Sequence, residues 1–415
     1  MKKFKKFLED YNREFEQLNE GGGFGHLNSP QHVNYTLQDL LTIIKNGFNG
    51  TIETVAEKTD GQNLMISWKD GKLIASRNKG HQKEFGKNAL NKQGMYDMFK
   101  GRGELSKAFN NAVDDLDAGL SKLSEQQLTE LFDNGKKWAS LEIMTPKNEN
   151  IIHYGLNELR IHGILELDET GTPIKPLNQS AGRYIAKLLK EINANTQKSY
   201  EIKGLSKVKL DKVKNADKEL AKHSKELSKL FSSNGLSKGS TINDYKSKEL
   251  EKALNKTDLK EITKDALLNR WVNNDKSLTI TKIYKYEDPD KKAVIQELDK
   301  RSKKMLGEIM KPVDKIFLSV GSIIISNIKT FMTVHPDKAV RKISDKMKET
   351  TDKINASGNQ ALKDELKRQQ ERIDSVGIDV ISPSEGITFF YKGELLKFTG
   401  LFAAQNALIN LAWRL

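Results

Sequence analysis

Between Thr51 and Gly80 apolar side chains come in short, largely alternating runs: Ile52 and Val55, then Leu64, Ile66 and Trp68, then Leu73, Ile74 and Ala75. A period of two predicts strands with one face buried. The two later runs are joined by Lys69-Asp70-Gly71-Lys72, and Asp-Gly between alternating runs predicts a tight hairpin, hence antiparallel sheet. From about 88 to 133 Leu and Ala recur every three or four residues, which predicts helices. Strand patterns resume in KWASLEIMTP (137–146) and LRIHGILELDE (159–169). From about 177 the character changes, and 200–375 reads as helices dense in lysine. Alternation returns in IDVISPSEGITFFYKGELLKFTGLF (378–402), with YKGE as a second hairpin turn and a short apolar helix after it. The expected fold class is α+β, with the C-terminal strands rejoining the sheet begun near residue 51. That places a core in two pieces, 1–176 and 377–415, around a Lys-rich helical insertion over 177–376.

Charge sharpens the picture of the insertion. The chain of 415 residues carries a formal net charge of +13. Residues 201–380 hold 39 Lys and Arg against 28 Asp and Glu, so they contribute +11 of it. Clustered cations release counterions on meeting phosphates, which favours a polyanionic partner, whereas a solvated Lys-rich surface would have the same composition. There is no cysteine, which excludes disulfides, thiolate metal sites and a thiol nucleophile. The N-terminal MKKFKKFLEDYNREFEQL predicts an amphipathic helix, not a signal peptide. The longest apolar run, IFLSVGSIIISNI from Ile316, is too short and too polar to cross a bilayer. A cytoplasmic protein with no membrane partner is expected.

One lysine stands apart from the many. Lys58 precedes Thr59-Asp60-Gly61 between two predicted strands, and Glu142, Glu385 and Lys397 occupy other strand-like segments. A nucleophilic lysine must be partly neutral although a free one titrates near ~10.4, so it needs desolvation or a cationic neighbour such as Lys397. Attack on the α-phosphate of a nucleotide would develop charge that cations and a carboxylate-held divalent metal stabilise.

EKTDGQN (57–63) resembles the Lys-x-Asp-Gly attachment motif of the covalent nucleotidyltransferases, the DNA ligases, RNA ligases and mRNA capping enzymes. SRNKG (76–80), WASLEIM (138–144), SEGITFF (384–390) and LLKFTG (395–400) resemble the other motifs of that superfamily, in the same order. Asn63, five residues after Lys58, is similar to the Lys-x-x-Gly-x-Asn of phage-type RNA ligases, where DNA ligases carry Arg.

The resemblance implies an antiparallel-sheet nucleotidyltransferase core, ATP-grasp-like, acting as an ATP-dependent polynucleotide ligase on RNA in preference to DNA. Lys58 would take AMP from ATP, with Mg²⁺ or Mn²⁺ as the metal. Glu57, Asp60, Gly61 and Asn63 would surround the nucleotide. Arg77 would contact ribose or phosphate, Glu142 the ribose hydroxyls and His162 the base. Lys397 would grip phosphate and Glu385 the metal. A DNA ligase, a nucleotidyltransferase with another acceptor and an inactive nucleic-acid-binding relative are the alternatives. If the chain is phage-encoded, the host cytoplasm is the expected location.

Two departures accompany the resemblance. The family's closing Lys-x-Lys is a single Lys397 here, flanked by Leu395 and Thr399, with Lys392 as a further cation. Only 18 residues follow Lys397, so no C-terminal oligonucleotide-binding barrel is expected. The glycine run NEGGGFGHLNSP (19–30), with His26, reads as a flexible approach or a nucleotide contact. VHPDKAVRK (334–342) predicts a helix start, with Pro336 and Asp337 in the first turn.

Overall fold

The computed structural model describes residues 27–174, 188–333, 335–376 and 381–415. The expected N-terminal amphipathic helix, His26 and most of the glycine run lie outside them. Two sheets carry the architecture. The smaller has strand order β1-β7-β8, with β1 Ala56–Lys58, β7 Gly386–Tyr391 and β8 Glu394–Phe398, all antiparallel. The larger has order β3-β2-β4-β5-β6, with β2 Gln62–Lys69, β3 Lys72–Ser76, β4 Lys137–Met144, β5 Glu158–Glu166 and β6 Glu201–Lys203. The C-terminal strands therefore pair with β1, and the chain crosses from the small sheet to the large one in the three residues after Lys58. The large sheet is not wholly antiparallel, because β6 runs parallel to β5.

Both hairpins form where the turn chemistry predicts. Asp70 and Gly71 have φ of 50° and 73°, and Lys392 and Gly393 have 49° and 83°. Such positive φ at both central residues matches the twist of the flanking strands.

Alternation along the strands sorts the side chains. Leu64 and Ile66, Leu73 and Ala75, and Leu141 and Ile143 face helices α2 Lys92–Phe99, α3 Glu104–Leu120 and α4 Glu125–Phe132, and make one core with them. The opposite face carries Met65 and Trp138, which meet Phe390 and Leu395 of the small sheet. The two sheets thus approach each other through the faces that also bear Asn63, Ser140, Glu142, Thr388 and Lys397.

The outer face of the small sheet, with Ile387, Phe389, Leu396 and Phe398, closes the second core. Helix α1 Leu37–Asn49 enters it. A capping box between Thr36 and Asp39 starts α1, and Gly50 in the left-handed region ends it. Its Leu40, Ile43, Ile44 and Phe48 recur at helical spacing on the buried side. From the helical segment α5 Ala216–Ser232, α6 Ile242–Leu254 and the long α7 Lys292–Ser326 join the same core through Phe231, Ile242, Val320 and Ile324.

Packing therefore does not follow the expected boundaries at 176 and 376. The helices α5, α6 and α7 of the Lys-rich segment share one core with α1 and β7–β8. Only the outer part, from Leu254 to Ile295, has a small core of its own. Farther on, α8 Pro336–Ala356 starts at Pro336 with Asp337 in its first turn. It packs with α9 Gln360–Asp374 and α10 Phe402–Asn410.

No helix among the described residues is long and apolar enough to cross a membrane.

Candidate active site between the two sheets

A cavity of about 320 Å³ lies between the facing sides of the sheets, lined by residues from both. Lys58 ends β1, and its register partner is Gly386 at the start of β7, which puts Glu385 beside it. Lys58 Nζ donates a hydrogen bond to Glu385 Oε1. On the next row Ala56 pairs with Thr388, and Thr388 with Lys397, so all three point into the cavity. The large sheet contributes Asn63, which pairs with Glu142, together with Ser140 and His162.

The Thr59-Asp60-Gly61 turn is held from several sides. The Asp60 carboxylate accepts from Asn150 Nδ2 at 2.8 Å, Ile151 N at 2.7 Å and Ile152 N at 2.8 Å, and Asp60 N donates to the Tyr154 hydroxyl at 2.8 Å. Gly61 N donates to Glu142 Oε2 at 3.1 Å. A Cβ on Gly61 would lie 2.8 Å from Ile143 O and 3.0 Å from Glu142 Cβ. Only glycine lets the turn come this close to β4. Asp60 thus fixes the loop and Gly61 permits the approach, which together set the position of Lys58.

The electrostatics differ from the simplest expectation for a nucleophilic lysine. Burial works to lower the Lys58 pKa, but Glu385, Glu142 and Asp60 outweigh it and hold the ammonium above its usual value. Burial, with the like charges of Asp60 and Glu142, pushes Glu385 up to about 7 against the pull of Lys58. Glu142 is raised as well, chiefly by burial. Lys397 is lowered by burial and by the Lys58 charge. Burial, helped by Lys58 and Arg160, lowers His162 to about 4, so its ring is neutral at pH 7. The His162 ring sits 3.3 Å from Thr59 Oγ1 and 3.8 Å from Glu142 Oε1. Two lysines, Lys58 and Lys397, and three carboxylates, those of Asp60, Glu142 and Glu385, thus line one cavity.

No protein-family model, curated protein or solved structure matches this chain.

Of the ten residues singled out from the sequence, eight line this cavity: Lys58, Asp60, Gly61, Asn63, Glu142, His162, Glu385 and Lys397. Glu57 and Arg77 do not. Glu57 precedes Lys58 on a strand and so faces the other way. Its Oε2 accepts from Met332 N at 2.7 Å, and its Oε1 has no partner among the described residues. Arg77 continues the row of Leu73 and Ala75 and lies against Phe109 on the helix-covered face, with Cζ 4.8 Å from the ring centroid. Sequence reasoning missed Ser140, Thr388 and Phe390. Ser140 sits two residues from Glu142, Thr388 pairs with Lys397, and Phe390 lies two residues beyond Thr388 on the same strand. The period-two rule applied to β4 and β7 would have reached all three.

Two lining groups are buried without a hydrogen-bond partner among the described residues, Asn63 Oδ1 and Ser140 Oγ. Buried polar atoms are nearly always paired, so an unpaired pair facing one cavity marks where a polar ligand would complete the site.

Glu57 gives a prediction about stability. Burial raises its pKa from 4.5 to about 7, so between these values the folded chain binds a proton that the unfolded chain releases. Stability must therefore fall as pH rises through that window. Glu57→Gln should flatten this fall, as read from urea midpoints at several pH values between about 4.5 and 7.5. An unchanged slope would mean that Glu57 titrates normally in the fold.

Proposed function

We propose that the chain is a covalent nucleotidyltransferase that acts as an ATP-dependent polynucleotide ligase, on RNA in preference to DNA, with Lys58 as the nucleophile. The observation that carries this reading is the meeting of Lys58, Glu142, Glu385 and Lys397 in one cavity between two sheets. The order of the motifs along the sequence supports it, as do the two unpaired polar groups that await a ligand. The antiparallel core built from β1, β7, β8 and the facing strands β2, β4 and β5 would be the nucleotidyltransferase core.

In the first step the neutral Lys58 amine attacks the α-phosphorus of ATP. A phosphorus–nitrogen bond forms, the bond to pyrophosphate breaks, and the second amine proton leaves. The resting site holds Lys58 protonated, so reaction requires Glu385 to lose its grip on the ammonium. Lys397 lies where it would stabilise the charge that grows on the phosphate. An oxygen of a 5′-phosphate end then displaces Lys58 from the phosphorus, and a 3′-hydroxyl displaces AMP to seal the strand.

Among the described residues no three acidic or histidine side chains converge to hold a metal by themselves. Magnesium is commonly held by one or two carboxylates plus substrate phosphates, and the donor set suits it: Glu385, with Glu142 beside it, would hold the ion. Bound there it would offset phosphate charge.

The reading is tested by incubating the protein with α-labelled ATP and Mg²⁺ and looking for acid-labile, base-stable label on a denaturing gel. The polymer is tested separately, and Asn63 motivates the choice of RNA. A protein tells RNA from DNA through the 2′-hydroxyls of the A-form minor groove. The attacking 3′-terminal sugar must also be closely aligned with the activated phosphate. Four nicked duplexes, with ribo or deoxyribo residues on either side of the nick, should show fastest sealing when the 3′-hydroxyl strand ends in a ribonucleotide. Equal or faster sealing of the all-deoxy nick would overturn the RNA assignment and leave nucleotidyl transfer standing.

A further inference from the structure

On the face of the large sheet away from the cavity, Phe99 at the end of α2 and Phe109 in α3 are stacked, with centroids 3.9 Å apart and planes 3° from parallel. Two guanidinium groups lie on this pair. Arg77 Cζ is 4.8 Å from the Phe109 centroid and 6.0 Å from that of Phe99, and Arg102 Cζ is 5.5 Å from that of Phe99. A guanidinium stacked on a ring is oriented while its N–H edge stays free, the arrangement used to grip phosphates in two-pronged fashion.

The charges on these two arginines are not balanced locally. Among the described residues neither side chain makes an ion pair or hydrogen bond with a carboxylate. Of the acids of α3, Glu104 pairs with Lys107 at 2.7 Å and Asp114 with Lys92 at 2.6 Å. Burial and the charge of Arg102 push Arg77 down to about 10, and no carboxylate acts in the other direction. Two like charges held together, one of them partly buried, are unfavourable unless an anion joins them.

Position adds the second argument. Ser76 pairs with Met65 on β2, only two residues from Asn63, so Arg77 leaves the sheet at the end where Asn63 lines the cavity. Lys147 is close enough to Glu104 to act on its charge, and it belongs to the loop after β4 whose Asn150 lines the cavity. Arg102 itself is exposed. A cationic edge therefore runs from the stacked pair towards the site around the end of the sheet.

We propose that Arg77 and Arg102 form a clamp for a backbone phosphodiester of a polynucleotide strand. The inference rests on the nucleotidyl-transfer reading only in taking that strand to be the acceptor. The clamp lies across the sheet from the nucleotide, so it holds the strand and takes no part in forming the lysyl bond.

The test measures fluorescence anisotropy of a short fluorescein-labelled RNA duplex with the full chain over a series of salt concentrations. Arg102→Ala and Arg77→Gln are each expected to weaken binding several-fold at low salt. Each should also reduce the slope of log affinity against log salt by about one, as the loss of a single phosphate contact does. Arg102→Ala should still take label from α-labelled ATP at the wild-type rate. Inorganic phosphate at constant ionic strength should compete with the duplex on the wild type and much less on Arg102→Ala.

Parental affinity and slope in both folded variants would overturn the clamp. So would phosphate competition with no effect of either variant on duplex binding, which would leave a site for free phosphate alone. If Arg77→Gln unfolds, Arg102→Ala decides by itself. Absence of label on Lys58 together with weakened duplex binding would defeat the nucleotidyl-transfer reading and leave the clamp intact.

Discussion

Lys58→Ala is expected to take up no label from α-labelled ATP under any condition that labels the wild type. No other amine in the cavity can replace it. Lys397 is the second lysine there, but it reaches in from β8 across from Thr388, whereas Lys58 ends β1 beside Glu385 and the Gly61 turn. Lys58→Arg should fail equally, because a guanidinium does not deprotonate in this pH range. The pH dependence is part of the same expectation. Glu385, Glu142 and Asp60 hold the Lys58 proton above the usual lysine value, so label uptake by the wild type should climb steadily from about pH 7 to about pH 9, with no plateau near neutrality. The rates are read from gels over a short time course at each pH. Undiminished labelling of the folded alanine variant would place the nucleophile elsewhere.

Gly386→Ala should be the most damaging single methyl in the small sheet. Gly386 has φ of 140°, outside the range that side chains favour, and a Cβ there would lie 2.0 Å from Phe398 O and 2.9 Å from Thr399 Cα. Both close atoms are backbone, so no rotamer change relieves them. Strain of this kind added to overpacking costs about 3 kcal/mol or more. The consequence reaches the cavity, since Gly386 is the register partner of Lys58 and holds Glu385 in place. A large fall in the urea midpoint is expected, with label uptake lost even below the transition. A midpoint within about 0.5 kcal/mol of the wild type, the usual range of surface changes, would show that β7 can shift to make room.

The hairpins and the neighbourhood of Lys58 were legible in the sequence because each rests on local chemistry. Asp70-Gly71 and Lys392-Gly393 are turn residues whose φ preferences act without help from distant contacts. The turn after Lys58 could be read in the same way, although the three donors that Asp60 receives come from residues 150–152 and left no local trace.

Strand facing was legible but was not used. Alternation from Leu73 through Ala75 to Arg77, and from Glu57 to Lys58, already separates the cavity side from the core side. A motif transferred as a block ignores that separation. The sharing of one core by α1, the Lys-rich helices and β7–β8 could not be read, because the spacing that makes a helix amphipathic does not name its partner. Phe48 packs near Phe231 and Ile324 only after some 180 and 270 residues of intervening chain have been brought together.

The hydrogen bond from Lys58 to Glu385 spans 327 positions of sequence. Closing a loop of that size is entropically unfavourable before any contact made inside it can compensate. On the ribosome the large sheet can be completed at β6, once about half the chain has been made, whereas the small sheet must wait for β7 and β8. Throughout that interval β1 has no strand partner in its sheet, and Lys58 is an ordinary solvated lysine without its carboxylate. A chain arrested or cut between β6 and residue 385 would thus carry the complete attachment motif without Glu385 beside Lys58. On the nucleotidyl-transfer reading proposed above, nucleotide consumption would begin only once β7 and β8 have folded against β1.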